Sequence, residues 1–218
     1  MTISMQPGRM VRSVLAIAVF MTAWGVSASG AFAGRQETSS CGPTAVRTVA
    51  RGNNVRVYER KEGGHRASVF VCAIPNGQSR RLGPTRQKGQ SAFMEGPVAT
   101  AGVWAAAVEV RQSGQDTTKV FVSARNARTG SANKCLVGGA DRPEQVPLVK
   151  AVGIADNGVV AWGSVMKLPP KGPEIATCSS SEVSILDRGP GVEVSTLHVR
   201  GNKVTWSKNG STESVSSE

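Results

Sequence analysis

Four stretches of this sequence share one form: "GNNVRVYER" (Gly52 to Arg60), "TAGVWAAAV" (Thr100 to Val108), "DNGVVAWGS" (Asp156 to Ser164) and "GNKVTWSKNG" (Gly201 to Gly210). In each, a Gly/Asn-type turn launches a valine-led strand with an aromatic placed early in it. Aligned on Tyr58, Ala106, Trp162 and Trp206, the intervals are 48, 56 and 44 residues. A period near about 40 to 50 residues constrains the fold, because each unit is one supersecondary element that cannot bury its apolar faces alone.

The remaining strands of the unit are legible on either side of that core. Before each launching turn lies an apolar run: "AVRTVA" (45–50), "AFMEGPVAT" (92–100), "LVKAVGIA" (148–155) and "VSTLHV" (194–199). After it comes a third strand ending in a polar turn: "SVFVCAIPNGQ" (68–78), "KVFVSARNARTG" (119–130) and "EVSILDRGPG" (182–191), with "STESVSSE" in that place in the last unit. Alternation puts Trp104, Ala106, Val108 and Val110 on one face of their strand, and Val120, Val122 and Ala124 on one face of the next. A weak fourth strand completes the first three units. The expected fold is all-β, a small propeller-like array of about four β-meander blades. A two-sheet β-sandwich has the same alternation and turn density and is the alternative.

"ADNGVVAW" followed by "VSILDRGPG" resembles the blades of secreted bacterial propellers of the TolB-like and WD-repeat type, in which a strand with an aromatic near its end precedes an Asp-x-x-Gly-like turn. The resemblance covers most of residues 45–217, and the Trp-Asp dipeptide of the stricter repeats does not occur. It implies an architecture and no activity, since propellers host many unrelated functions. In a closed ring the outer strand of the last unit would come from "GRQETSSCG" (34–42).

Residues 1–33 read as a secretory signal peptide: Arg9 and Arg12, an apolar run from Ser13 to Trp24, and a small-residue stretch ending in Ala31-Phe32-Ala33. Cleavage after Ala33 would leave 34–218 as a single all-β domain, without stable membrane insertion, in the periplasm or the extracellular medium. Cys41, Cys72, Cys135 and Cys178 all lie beyond that point. In an oxidising compartment four cysteines suggest two disulfides; three connectivities are open, and nearest-neighbour pairing is expected. A zinc site fits poorly, with no C-x-x-C pair and two histidines in the chain.

Catalytic signatures are sparse. His65 lies in the charged, glycine-rich "KEGGHRAS", and His198 sits between Leu197 and Val199, facing away from that apolar pair. No G-x-S-x-G elbow, P-loop or dinucleotide fingerprint occurs, so neither a nucleotide nor another cofactor is expected. Asp141 and Glu144 are the close acid pair of a loop, and "DNG" at Asp156 to Gly158 reads as a tight hairpin rather than a calcium loop.

Charge is where the chain is unusual. From Gly34 to Gln90 there are 11 Lys/Arg against 3 Glu, a net +8, whereas Ser91 to Glu218 has 13 against 12, a net +1. Arg56, Arg60, Arg66, Arg80, Arg81, Arg86 and Lys88 are the candidate contacts for an anionic partner, with Arg56 and Arg60 alternating onto one strand face. Export argues against nucleic acid as the partner, and Tyr58 and Phe70 are the aromatics there to stack on bases. An anionic envelope polymer or an acidic protein suits the charge better. The expectation is a non-catalytic binding or scaffold module of open oligomeric state; the alternative is a secreted hydrolase with its active site on propeller loops.

Overall fold

The computed structural model describes residues 41, 47–63, 66–75, 77–85, 91–113, 117–142 and 145–217. Residues 1–33, read above as a signal peptide, lie outside them. The described residues form strands and turns and contain no α-helix. Strands β1 (Arg47–Arg51), β2 (Val55–Gly63), β3 (Arg66–Ala73) and β4 (Ser79–Pro84) make the first sheet, in chain order. The second repeats the plan with β5 (Ala92–Ala101), β6 (Trp104–Ser113), β7 (Thr117–Asn126) and β8 (Ala132–Ala140). The third uses β9 (Leu148–Ile154), β10 (Val160–Met166), β11 (Gly172–Ser179) and β12 (Glu182–Arg188). The fourth has β13 (Val192–Arg200), β14 (Lys203–Lys208) and β15 (Ser211–Ser216). All strand-to-strand pairings are antiparallel meanders, so the chain is an all-β, propeller-like array of four sheets rather than the two of a sandwich, and among the described residues the array is not closed.

The launching turns do what their residues dictate. At "DNG" the Asn157 side chain accepts from Val159 N at 3.1 Å and Gly158 N donates to Ala155 O at 3.0 Å, closing the hairpin. Gly158 takes φ +87°, and a Cβ there would meet the Trp104 ring of the preceding sheet at 2.6 Å, so glycine is required twice over. Turns of consecutive sheets lie side by side: Gly52 against Thr100, Gly102 against Asp156, and Asp156 N donating to Gly201 O at 3.4 Å. The first strands also pack on one another, β1 on β5, β5 on β9 and β9 on β13, so the first strand of each sheet is innermost.

Repetition extends to the irregularities. Each innermost strand breaks register with its neighbour, at Thr48/Ala50, Met94/Val98, Gly163/Ser164 and Glu193/His198. Each outermost pairing of the first three sheets breaks too, at Val69/Phe70, Val120/Phe121 and Ile175/Ala176. Bulges add local twist and re-aim side chains, and here they recur at matching places in the unit.

Three apolar layers hold the sheets together. Val55, Val57, Val69 and Val71 of the first sheet meet Ala105 and Ala107 of the second. Ala106, Val108, Val122 and Ala124 meet Val160, Trp162 and Ala176 of the third. Ala161 and Ile175 meet Val194, Leu197, Val204 and Trp206 of the fourth. The alanines of β6 thus sit between bulky neighbours on both faces, a large-to-small fit that lets sheets approach closely.

Two sequence expectations are corrected by this packing. Ala106 faces the following sheet, whereas Trp162 and Trp206 face the preceding one, as Ala105 and Ala107 do. With a side-chain period of two, the repeat alignment at Ala106 is therefore one residue out of phase. "EVSILDR" is the outer strand β12, not the third strand; that place belongs to β11. Pro173, which has no N–H to give a ladder, is accommodated near the start of β11. The expected closing segment 34–42 lies outside the described residues except Cys41, which is bonded to Cys72 in β3 of the first sheet.

A buried and a half-buried carboxylate clamp strands together. Glu109 accepts from Arg111 Nε at 2.5 Å, Lys134 Nζ at 2.6 Å and Ser123 Oγ at 2.8 Å, tying β6, β7 and β8. Asp187 on β12 accepts from Trp206 Nε1 at 2.9 Å and Lys208 Nζ at 2.7 Å on β14, joining the third sheet to the fourth. Burial opposes both charges, but these hydrogen bonds outweigh it and hold both carboxyls below their ordinary values. A depressed carboxyl stabilises the fold above its unfolded-state pKa, and that stabilisation is lost as pH falls through the folded value. Denaturation midpoints measured from pH 7 down to pH 3 should therefore fall steeply at the acid end. The double variant Glu109→Gln/Asp187→Asn should start about 2 to 3 kcal/mol lower at pH 7 and show a flatter acid limb; an unchanged limb would remove the clamps as the cause.

Candidate anion-binding face

The outward face of the first sheet is assembled by alternation along β2 and β3. Cross-strand pairing sets Arg56 opposite Cys72, Tyr58 opposite Phe70 and Arg60 opposite Ser68, so these six residues share one face. Tyr58 and Phe70 are 0% and 5% exposed, stacked with centroids 5.8 Å apart and planes 18° from parallel. Above them, the Arg56 guanidinium lies 5.3 Å from the Tyr58 centroid and that of Arg60 lies 4.1 Å from the Phe70 centroid. Aromatic faces attract a guanidinium and hold its plane flat, leaving N–H groups directed outward at the edge.

Hydrogen bonds fix the layer from below. Arg56 donates through Nε to Thr48 Oγ1 at 3.0 Å and through a terminal nitrogen to Cys41 O at 3.3 Å. The Cys41–Cys72 disulfide places that carbonyl, and the Tyr58 hydroxyl donates to Ser79 Oγ at 2.6 Å. Arg81, opposite Phe70, donates twice to Ser68 Oγ, at 3.2 and 3.1 Å, and lies 3.3 Å from Glu62. Arg51 pairs directly with Arg56, and alternation with Ser68, Phe70 and Cys72 brings Arg66 to the same side. Five arginines against Glu62 give this face a net +4. Arg60 makes no ion pair among the described residues.

The face gathers Arg56, Arg60, Arg66 and Arg81 from the sequence candidates. Arg80 is placed elsewhere: it pairs with Val71, points toward the second sheet beside Gly130, and its Nε is buried without a hydrogen-bond partner among the described residues. Arg86 and Lys88 lie outside the described residues, as do His65 and Glu144. His198 is exposed on β13, with Leu197 and Val199 facing the core. Asp141 accepts from Thr117 Oγ1 at 3.3 Å. Among the described residues no three of His, Cys, Asp and Glu are grouped to hold a metal ion.

No family model and no curated protein matches the chain. Among solved structures it is similar to the crystal structure of TolB from Acinetobacter baumannii, with a TM-score of 0.31 and 12% identity. The likeness covers 75% of this chain and 38% of that one, and no residue role is taken from it.

Sequence reasoning missed Arg51 as a member of the face, along with the supporting Thr48, Ser68 and Ser79. Their signal is the strand register: once Tyr58 is paired with Phe70, every second residue on β1, β2 and β3 follows. The placement of Arg80 had no such signal, because the register break at Val69/Phe70 resets β4 against β3.

Proposed function

We propose that this chain is an exported, non-catalytic binding module whose first sheet docks onto an anionic polymer of the cell envelope. The observation that carries the reading is the net +4 face, with two guanidinium groups seated on a buried aromatic pair. Seated arginines lose less side-chain freedom on binding than free ones, which favours them as contacts for carboxylate or phosphate. Arg56 and Arg60 are four residues apart on one strand, roughly 13 Å. That spacing suits a chain of repeated anionic groups better than one small ion. The two disulfides fit an oxidising compartment, as export requires.

Retention on isolated envelope material, eluted with a salt gradient, tests the proposal. Exposed ion pairs contribute roughly 0.5 to 1 kcal/mol each, so Arg60→Gln/Arg81→Gln should weaken retention about five- to thirtyfold. Lys203→Gln, a charge loss on the fourth sheet, should leave it near wild type. Equal loss in both variants would mean that net charge, rather than this face, is responsible.

A further inference from the structure

Between the second and third sheets, a cavity of about 490 Å³ opens at the end of the array opposite the launching turns. Its floor is made by Phe93, Val108, Val120 and Val149, all buried, and its mouth by half-buried Val110 and 46%-exposed Leu148. The opening has a local cause. Opposite Val108, the ladder between β5 and β6 breaks, and Glu95, Gly96 and Pro97 loop out between the pairs Met94–Glu109 and Val98–Ala107. The comparable detour of β13 carries Val194 and Leu197, which pack into the core against the third sheet. The detour of β5 offers no large apolar side chain, so the corner is left unfilled.

The polar groups at the rim are few and unequal. Gln112 and Thr118 are neutral, and Glu95 is already engaged. Lys167, at the end of β10, is exposed and makes no ion pair among the described residues. Apolar walls with one uncompensated cation at the mouth select an apolar body ending in an anionic group. The volume lies within the range of about 300 to 1,000 Å³ typical of small-molecule sites. We propose that this cavity binds a freely diffusing single-chain amphiphile with a carboxylate head, its chain among Val108, Val110, Val120 and Val149 and its head on Lys167.

The site is separate from the arginine face, so the two proposals fail independently. Decanoate titrated into the full chain and followed by calorimetry should bind saturably at one site. Lys167→Gln should weaken decanoate at least fivefold while leaving decanol unchanged, and Leu148→Asp, a substitution at the exposed mouth, should weaken both. Arg60→Gln/Arg81→Gln should leave decanoate binding as in wild type. The proposal is overturned by the absence of saturable binding at millimolar decanoate, by equal loss of decanoate and decanol in Lys167→Gln, or by binding only to phosphatidylglycerol vesicles.

Discussion

Replacing Cys135 and Cys178 together by alanine is expected to lower the free energy of unfolding by roughly 4 kcal/mol. The bridge joins β8 to β11 across a sequence separation of 43. It cross-links the second and third sheets, where Trp162 and the valines of β6 and β7 form the largest apolar layer. On the chain-entropy account, its removal frees the unfolded chain from a long closed loop. Repeat arrays depend on contacts between neighbours, so weakening this one should also reduce cooperativity. Urea denaturation followed by tryptophan fluorescence should show a lower midpoint and a broader transition than wild type. Cys41→Ala/Cys72→Ala breaks a bond within the first sheet's own outer layer and should instead leave the transition sharp while loosening Arg56. An unchanged midpoint on losing Cys135 and Cys178 would mean that packing alone holds the second and third sheets together.

That contrast bears on what a sequence of this kind discloses. The period of the unit was legible because it rests on glycine and asparagine at turns and on valine alternation, both local. Nearest-neighbour cysteine pairing, expected among three open connectivities, is what the structure contains. Phase was harder. Ala106 was matched to Trp162 by position after the turn, but the launching loops differ in length: Ala101 pairs with Trp104, whereas Ile154 pairs with Val160. A one-residue difference there reverses the face, and no propensity reports it. Strand β11 was hidden for another reason, since prolines signal a break wherever sheet context is unknown.

The candidate anion-binding face was half legible. Arg56 and Arg60 alternate on β2, and that much needs no partner strand. Their seating on Tyr58 and Phe70 depends on the β2–β3 register, which a sequence does not print. The cavity beside Lys167 had no signal, because it arises where a bulge fails to fill a corner.

The largest single-residue effect is expected at Trp162, which is fully buried at the centre of the layer between the second and third sheets. Trp162→Ala should cost about 3 to 5 kcal/mol, the usual range for emptying an aromatic site. Trp162→Phe should behave differently. The indole Nε1 is buried without a hydrogen-bond partner among the described residues, and an unsatisfied buried donor costs about 1 to 3 kcal/mol. Phenylalanine removes that donor along with some volume, so the two changes offset and the net loss should be within about 1 kcal/mol. Trp206 is the internal control. It is slightly less buried, at 7% exposed, but its Nε1 donates to Asp187. Trp206→Phe therefore deletes a charge-assisted hydrogen bond between sheets and leaves Asp187 with one donor fewer. Measured by denaturation at neutral pH, Trp206→Phe should be the more damaging substitution despite its greater exposure. The reverse order would show that volume, not hydrogen bonding, decides the indole positions in this fold.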